Sequence, residues 1–295
     1  NWFCGCHAIL AMKADMIGHK TLRLGLIGGN ITQSRSPALQ IVCGLSVGRN
    51  VSYDLLIPAE QGLSFEAMFD RCKSAGFDGV NVTYPFKEQV LQRIPAGNPV
   101  LATPGAANTV CFSTAGDLAH NTDYTGFKTA FRQRWGDRNP GRVLIIGTGG
   151  VGRAIAFALA ELGAEEILLH DLDVEKSKSL KRDLATRSDM KSTLFDLASA
   201  SNLDAIDGIV NGTPLGMDGK PGSPLPAGIS GKPGWAFDAV YTPELTQFRG
   251  QCEGMGAEFL SGYELYVHQG IHAFRIFTGG LDADEDWVRA TLKGA

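Results

Sequence analysis

The amino-acid sequence predicts an α/β protein made of two units, each built around a mainly parallel β-sheet. Apolar strands and helices alternate almost without interruption from Lys20 onward, which favours parallel strands joined by helices. After residue 146 a glycine-rich turn joins a strand to a helix, so a second α/β unit follows a complete first one. The chain length of 295 residues suits two domains better than one.

The first unit is predicted to begin with three strands and two helices in alternation. The strands are expected at 22–28, 51–57 and 78–82, and the helices at 36–48 and 64–76. Ser36 is the predicted N-cap of the first helix, and Pro37 takes its first position.

A third helix is predicted to begin at Pro85, followed by a short strand within 106–112. Lys87 would then fall in the first turn of that helix. The positive end of the helix dipole lies there and disfavours a lysine, so the presence of Lys87 at this position requires an explanation.

The second unit is predicted to follow a helix within 120–136. It opens with "RVLIIGTGGVG", which reads as a strand, a glycine turn and the start of a helix. Further strands are expected at 207–211, 235–240 and 257–260. The Gly/Pro-rich loop 216–234 is long enough to indicate a functional rim, and helices from Tyr263 onward are expected to return to the first unit.

These patterns predict a first domain over 20–123, completed by C-terminal helices within 262–295, and a second domain over 124–261. Residues 1–19 fit poorly with the rest of the chain, and we interpret them as an extension outside the functional argument. The extension holds three potential metal ligands without a partner pair elsewhere, so no metal site is predicted: Cys4, Cys6 and His7.

Composition excludes several classes of function. The net charge of −4 gives no basic field for nucleic acid or for an anionic membrane. No apolar run approaches the roughly 20 residues of a membrane span. The six cysteines are mostly scattered among apolar neighbours, as in a reduced, cytoplasmic protein. We therefore expect a cytoplasmic monomer or homodimer whose partner is a small molecule.

The turn "GTGGVG" predicts a dinucleotide-binding domain of the Rossmann type, with a doubly wound sheet. Gly147, Gly149 and Gly152 have the G-x-G-x-x-G spacing, directly after an apolar strand and before a helix. Together with Gly150 and Val151 they would surround a pyrophosphate, which the free N–H groups of the helix terminus bind. The alternative is a strand–helix turn that needs glycine for steric reasons alone.

Asp171 closes the next strand about 20 residues beyond these glycines, where an acidic side chain accepts hydrogen bonds from the adenosine ribose. A carboxylate there repels a 2′-phosphate, and no arginine follows, so NAD is the expected cofactor. The alternative is that Asp171 or Asp173 caps the helix beginning near Val174. Lys176 and Lys178 keep NADP possible.

A series of motifs resembles the shikimate and quinate dehydrogenases over almost the whole chain, in the order of that family. They are "SRSP" (34–37), "NVTYPFKE" (81–88), "GAANTV" (105–110), "NTDYTGF" (121–127), "GTGGVGRAIA" (147–156), "NGTPLGM" (211–217), "FDAVYTPELTQF" (237–248) and "VHQGIHAF" (267–274). The resemblance implies an N-terminal α/β substrate domain and a Rossmann domain. It also implies reversible hydride transfer between NAD(P) and a ring hydroxyl of shikimate or quinate, giving 3-dehydroshikimate or 3-dehydroquinate.

The resemblance makes Lys87 a catalytic residue, and the chemistry agrees. Oxidation of a ring alcohol needs a base for the hydroxyl proton while hydride leaves for the nicotinamide. A position at a helix N-terminus disfavours the charged ammonium, which would prepare the lysine for that task. Without the other motifs, Lys87 would be interpreted as an ordinary exposed lysine.

The resemblance implies that Asp123 is the second catalytic residue and lies beside the lysine and the reacting hydroxyl. It would order the ammonium group and hold the substrate for transfer. Asp123 also suits the N-cap of the helix after it, and the two roles are compatible.

Further contacts are implied by the same motifs. Ser34 and Ser36 would hold the substrate carboxylate. Gln269 stands in an otherwise apolar helix, which favours a place in a pocket. The remaining positions are Thr83 and Asn108 for ring hydroxyls, Tyr241 for the substrate, and Thr213 and Gly262 beside the nicotinamide.

Departures from the family pattern bear on substrate and cofactor. Val151-Gly152 and "LHDLD" replace residues usual in biosynthetic members and favour the NAD-using, mostly catabolic branch. The serine of "SRSP", where some quinate-preferring relatives have threonine, leaves shikimate and quinate both open. Two other hypotheses remain: a dehydrogenase of a related ring acid such as aminoshikimate or aminoquinate, and a non-catalytic ligand sensor. Intact Lys87 and Asp123 argue against the sensor.

Overall fold

Two units make up the chain in the computed structural model, which describes residues 20–94, 98 and 104–293. The first unit takes the chain up to Asn98, Ala107–Thr122 and the chain from Gly270 onward. The second unit takes Pro99–Ala106 and Asp123–Gln269. The predicted extension 1–19, with its Cys4, Cys6 and His7, lies outside the described residues.

This division differs from the predicted one at the C-terminal helices, because 262–269 group with the second unit. These residues directly follow the last strand of that unit. A Cβ atom built at Gly262 would lie 2.5 Å from the carbonyl oxygen of Asp238 in the neighbouring strand. The start of the helix is therefore packed closely against the second unit, and only its later turns join the first.

Strands and helices alternate along most of the described chain. In order they are β1 (Leu22–Ile27), α1 (Ser36–Ser46), β2 (Val51–Leu56), α2 (Phe65–Ser74), β3 (Gly79–Val82), β4 (Thr109–Cys111), β5 (Leu118–His120), α3 (Thr122–Trp135), β6 (Arg142–Ile146), α4 (Gly150–Glu161), β7 (Glu166–His170), α5 (Val174–Arg187), β8 (Ser192–Leu194), β9 (Gly208–Asn211), β10 (Trp235–Asp238), α6 (Gln247–Gly254), β11 (Glu258–Ser261), α7 (Gly262–Phe277) and α8 (Glu285–Lys293). The strands β5 and β8 and helix α6 are additions to the predicted elements.

The first unit contains a five-stranded sheet in the order β2-β1-β3-β4-β5. Strand β1 pairs in parallel with β2 and β3, whereas β4 and β5 pair antiparallel at one edge. Helix α2 begins where Ser64 accepts a hydrogen bond from the Ala67 N–H at 3.2 Å. Parallel pairing brings the carboxyl ends of β1, β2 and β3 to the same edge of the sheet.

Helices α7 and α1 approach each other closely at Gly270 within the first unit. A Cβ atom there would lie 2.1 Å from Leu39 Cδ2, so this position has no room for a side chain. The buried Gln40 amide donates to the Gly270 carbonyl oxygen at 2.8 Å and fixes the contact. The close packing holds the later part of α7 against α1, which begins at the serine motif.

The helix predicted to begin at Pro85 is absent, and this expectation was wrong. Residues 83–88 form turns instead, and a 3₁₀ helix follows at Gln89–Arg93. The Phe86 N–H bonds to the Thr83 carbonyl oxygen at 2.9 Å, which closes a tight turn before any helix begins. Lys87 therefore precedes the helical residues, and the dipole argument does not apply to it.

Two predicted helix caps also need correction. Helix α1 includes Ser36, and the side chain that serves its N-terminus is that of Ser34, which accepts from the Ser36 N–H at 3.2 Å. Asp123 lies within the first turn of α3, which begins at Thr122, and is not its N-cap. In both cases the helix begins one or two residues earlier than the sequence suggested.

The second unit contains a six-stranded parallel sheet in the order β11-β10-β9-β6-β7-β8. Counted from β6, this is the strand order 3-2-1-4-5-6 of the doubly wound dinucleotide-binding fold. Its central strands are mostly apolar, and Ile145, Val210 and Phe237 have no exposed surface. The order reverses between β6 and β9, and ligands bind at such a switch point.

None of the helices within the described ranges is long and apolar enough to cross a lipid bilayer. Within the same ranges, no three His, Cys, Asp or Glu side chains are grouped to bind a metal ion. The four cysteines of this part of the chain carry free thiols: Cys43, Cys72, Cys111 and Cys252.

Candidate active site

The carboxyl edge of the first sheet brings Thr83 next to the loop after β1. The Thr83 N–H donates to the Ile27 carbonyl oxygen at 2.9 Å, and the Gly29 N–H donates to the Tyr84 carbonyl oxygen at 2.9 Å. A Cβ atom at Gly28 would lie 2.5 Å from Thr83 Cγ2, so the glycine allows the two segments to meet. Thr83 is thus placed at the edge where a ligand of a parallel sheet binds.

Ser34 and Ser36 lie together at the N-terminus of α1, and both are half-buried. The Ser34 hydroxyl donates to Ser36 Oγ at 3.1 Å, and the first turn contains no acidic residue. Hydroxyls beside a helix N-terminus without acidic neighbours form a suitable environment for an anion. A carboxylate is one anion of this kind.

A buried polar network holds Asn108 in the first unit. Its Oδ1 accepts from the Thr122 N–H at 2.7 Å and lies 3.1 Å from the hydroxyls of Thr109 and Thr122. Asn81, buried one strand away, donates to the Asn108 carbonyl oxygen at 3.1 Å and accepts from the Tyr53 hydroxyl at 2.8 Å. Because Oδ1 is occupied by protein donors, the Nδ2 group is the part of Asn108 that suits a ring hydroxyl.

Lys87 is half-buried and lies in the turn that follows Thr83. Its carbonyl oxygen accepts from the Ala107 N–H at 3.0 Å. The lysine backbone is thereby tied to the segment leading into Asn108. Lys87, Thr83 and Asn108 belong to the same unit, whereas Asp123 is buried in the second unit.

The glycine turn after β6 has the close approaches that its spacing predicts. A Cβ atom at Gly152 would lie 1.9 Å from the Gly147 carbonyl oxygen, and one at Gly147 would lie 2.6 Å from Thr213 Cγ2. Gly149 differs, since a Cβ atom there would meet no atom of the described residues within 4 Å. Gly150 and Val151 then begin α4. Neighbouring atoms therefore leave no room for a side chain at Gly147 and Gly152. The space beside Gly149 is open, and a pyrophosphate would approach there.

Asp171 follows β7 and connects to the glycine turn. Its Oδ2 accepts from the Thr148 N–H at 2.7 Å and from the Thr148 hydroxyl at 3.1 Å, while Oδ1 accepts from the Asp173 N–H at 2.9 Å. The helix cap is supplied by Asp173, which accepts from the Glu175 N–H at 3.1 Å. The two aspartates therefore have separate tasks, and Asp171 remains half-exposed at the carboxyl edge.

The remaining predicted residues of the second unit also follow its strands at this edge. Thr213 follows β9, and Gly262 follows β11. Tyr241 follows β10 and stacks on Tyr266 of α7, with ring centroids 4.9 Å apart. Gln269 lies three residues further along α7, and its amide donates to the Tyr266 backbone carbonyl oxygen at 2.9 Å.

Several supporting residues were missed by the sequence reasoning. Asn81 and Thr109 belong to the motifs "NVTYPFKE" and "GAANTV", but nothing in the sequence indicates that they bond to Asn108. Thr148 sits between two glycines of the turn, and its bond to Asp171 depends on strand order. Asn81 and Thr148 bond to residues far along the chain, and Thr109 bonds to its neighbour Asn108 and to Thr122 beyond strand β5. The contacts between distant residues appear only in the assembled sheets.

Comparisons with known proteins show the family to which the chain belongs. Residues 26–110 match the family described as the shikimate dehydrogenase substrate binding domain. A quinate/shikimate dehydrogenase (NAD⁺) of Corynebacterium efficiens is 34% identical over 283 residues, covering 94% of this chain and 99% of that protein. The chain belongs to the shikimate dehydrogenase family.

Solved structures of the family have the same fold. The quinate dehydrogenase from Corynebacterium glutamicum in complex with NAD superposes with a TM-score of 0.84 at 30% identity, covering 94% of this chain and all of that one (100%). The shikimate 5-dehydrogenase from Thermus thermophilus in complex with NADP(H) and shikimate gives a TM-score of 0.78 at 30% identity, covering 92% of this chain and 98% of that one. The predicted α/β fold with a Rossmann-type domain is thereby confirmed.

Proposed function

We propose that the protein is an NAD-dependent dehydrogenase of shikimate or quinate, which reversibly oxidises a ring hydroxyl to the ketone. The observation that carries the proposal is the open turn above Gly149 with the half-exposed Asp171 carboxylate beside it. The turn fits a dinucleotide, and the carboxylate suits ribose hydroxyls and repels a 2′-phosphate. The similar quinate dehydrogenase solved with NAD supports the same cofactor.

In this proposal the substrate carboxylate lies at the N-terminus of α1, with hydrogen bonds from Ser34 and Ser36. Asn108 and Thr83 serve ring hydroxyls, and Tyr241 and Gln269 contact the ring acid. Lys87 removes the hydroxyl proton, and Asp123 orients the reacting group. NAD, when bound, supplies the hydride acceptor. Gly147, Gly149, Gly150, Val151, Gly152 and Asp171 bind it, and Thr213 and Gly262 border the nicotinamide.

The direct test is turnover by the purified chain. Shikimate and quinate are each supplied with NAD or NADP, and reduction of the nicotinamide is followed by its absorbance. We expect NAD to be reduced with at least one of the two acids. Turnover of neither acid with either cofactor would contradict the proposal.

Asp171→Ala is expected to weaken NAD binding by about 1–3 kcal/mol, the scale of hydrogen bonds lost at a charged group. The preference for NAD over NADP should shrink, because the repelling carboxylate is gone. Binding is measured by calorimetry for both cofactors. Asp173→Ala is the matched control, since that carboxylate caps α5 and should affect stability alone. Equal or better turnover of the unmodified protein with NADP would refute the assignment.

Ser34→Ala and Gln269→Ala are expected to raise KM for the ring acid and leave KM for NAD nearly unchanged. Each change removes a hydrogen-bonding group from substrate in ground and transition states alike. Ser34→Ala also removes the partner of the Ser36 N–H, so its thermal stability is measured in parallel. Ser64→Ala, which removes the cap of α2, is the control for that loss. If either variant weakened NAD alone, its place in the substrate pocket would be wrong.

The cysteines support our proposal that the enzyme works in the cytoplasm. Burial raises the pKa of the Cys43 and Cys252 thiols to about 12 and that of Cys72 and Cys111 to about 11. Such thiols stay protonated and unreactive at neutral pH. Free, inert thiols are typical of proteins in a reducing compartment.

A further inference from the structure

Two buried polar side chains end the neighbouring strands β9 and β10 of the second unit. Asn211 and Asp238 are paired in register, with exposed fractions of 0% and 1%. They stand at the carboxyl edge of the sheet, immediately before the loops that carry Thr213 and Tyr241. Those two residues are the ones assigned above to the nicotinamide and to the ring acid.

The Asn211 amide is fully used. Its Oδ1 accepts from the Thr213 backbone N–H at 2.9 Å and from the Thr213 hydroxyl at 2.7 Å. Its Nδ2 donates to the Leu215 carbonyl oxygen at 3.1 Å and to Asp238 Oδ1 at 2.9 Å. A side-chain amide has two acceptor sites and two donors, so the orientation of Asn211 is determined by these four bonds.

The Asp238 carboxylate joins three segments of the chain. Besides the Asn211 amide, Oδ1 accepts from the Val240 N–H at 3.0 Å, and Oδ2 accepts from the Thr246 hydroxyl at 2.6 Å. Thr246 Oγ in turn accepts from the Arg249 N–H at 3.1 Å and caps α6. Three converging donors stabilise an ionised carboxylate, although burial raises its pKa. A single amide oxygen could not accept from all three.

We propose that Asp238 is a positioning residue for the reaction: through Asn211 and Val240 it holds the loops that present Thr213 to the nicotinamide and Tyr241 to the ring acid. The inference rests on the proposed function. Asp238 itself contacts neither ligand. Its effect is carried by the hydrogen bonds that set the start of each loop.

An exchange of the two side chains tests the inference. Asn211→Asp alone would place a second carboxylate against that of Asp238. Asp238→Asn alone would leave the Thr246 hydroxyl without its acceptor. The double variant Asn211→Asp/Asp238→Asn removes the facing carboxylates and keeps acceptors for both Thr213 donors. It still leaves the Val240 N–H and the Leu215 carbonyl oxygen without their partners. We expect each single variant to lower kcat/KM by about tenfold or more, the scale of a broken bond to a buried charge. The exchange should recover only the part of the loss that comes from the two facing carboxylates, so it should be no slower than the slower single variant.

Glu166→Gln is the matched control. Glu166 is a buried carboxylate of the same sheet, bound to Arg142 and Thr193 at 2.8 Å, but it stands at the opposite end, where β7 begins. Melting temperature is measured for every variant, together with the Kd of NAD by calorimetry. If Glu166→Gln lowers the melting temperature as much as the Asn211 and Asp238 variants do, it should still have the KM and kcat of the unmodified protein.

Several outcomes would overturn the inference. It fails if the exchange variant shows the product of the two single losses, or if Glu166→Gln loses as much activity at equal stability. If the single variants do not fold, the exchange variant and Thr246→Val carry the same comparison; Thr246→Val removes the hydroxyl link together with the cap of α6, so it is compared with Glu166→Gln at equal stability. If the unmodified protein binds NAD but turns over neither acid, the proposed function fails instead. The NAD Kd of the variants then still tests the role of Asp238.

Discussion

Replacing Lys87 by alanine is expected to lower kcat by about 10²- to 10⁴-fold, the usual contribution of a positioned acid or base. KM for the ring acid should change far less, because Ser34, Ser36 and Asn108 would still hold the substrate. Steady-state kinetics with saturating NAD separate the two effects. Lys73→Ala is the control, since that lysine of the same unit pairs with Asp117 at 2.9 Å and has no assigned role in the reaction.

Lys87→Arg is the sharper variant. Arginine keeps the charge and can still donate to the hydroxyl, but it does not release a proton near neutral pH. We expect it to be nearly as slow as the alanine variant. Near-normal turnover would mean that Lys87 only positions the substrate and that another residue, Asp123 first, is the base.

Asp123→Asn is expected to be impaired as well. The double variant with Lys87→Ala should be little slower than the slower single variant if the two residues act as a unit. Multiplicative losses in the double variant would show that the two residues act independently.

Gly149→Ala and Gly152→Ala should affect different properties although both glycines belong to one turn: the first should weaken NAD binding, and the second should lower stability. At Gly149 the backbone is extended, with φ −71° and ψ −166°, and the added methyl group meets open space. The protein should fold at a cost of no more than about 1 kcal/mol, since alanine is a poorer N-cap than glycine. The methyl group would occupy the approach of the pyrophosphate, so the Kd of NAD should rise about 100-fold.

Gly152→Ala should instead destabilise the folded protein. Its Cβ atom would lie 1.9 Å from the backbone carbonyl oxygen of Gly147, and that contact is relieved only by moving α4 away from β6. We expect a loss of about 3 kcal/mol or more in the free energy of unfolding, since overpacking against backbone is poorly relaxed. Chemical denaturation measures the stability, and calorimetry measures NAD binding. Equal stability of the two alanine variants would contradict the assigned roles of the two glycines.

The structure confirms most of the predicted elements that depend on residues close together in the sequence. The glycine turn, its flanking strand and helix, and the alternation of the second unit all depend on residues close together along the chain. Gly147 and Gly152 have the steric contacts that their spacing predicts. The capping alternative for Asp171 was settled by the structure, because Asp173 supplies that cap and Asp171 bonds to Thr148 across two strands.

The turn at Lys87 shows where local reasoning fails. Proline often begins a helix, so Pro85 favoured one, but the Phe86 N–H bonds back to Thr83, and the lysine lies in a turn. The motif predicts a catalytic role for the lysine, whereas the helix-dipole argument for that role was wrong. Its backbone is instead tied to Ala107, a contact that no local pattern contains.

By itself the sequence determined the fold class, the dinucleotide turn and the set of candidate residues, because periodicity, glycine spacing and motif order are properties of neighbouring residues. Only the tertiary structure decided how those residues are held. Asn108 is oriented by Thr122 and Asn81, and Asn211 is joined to Asp238 across adjacent strands. A buried amide or carboxylate must find its partners wherever strand order places them, and strand order is settled only when the whole sheet assembles.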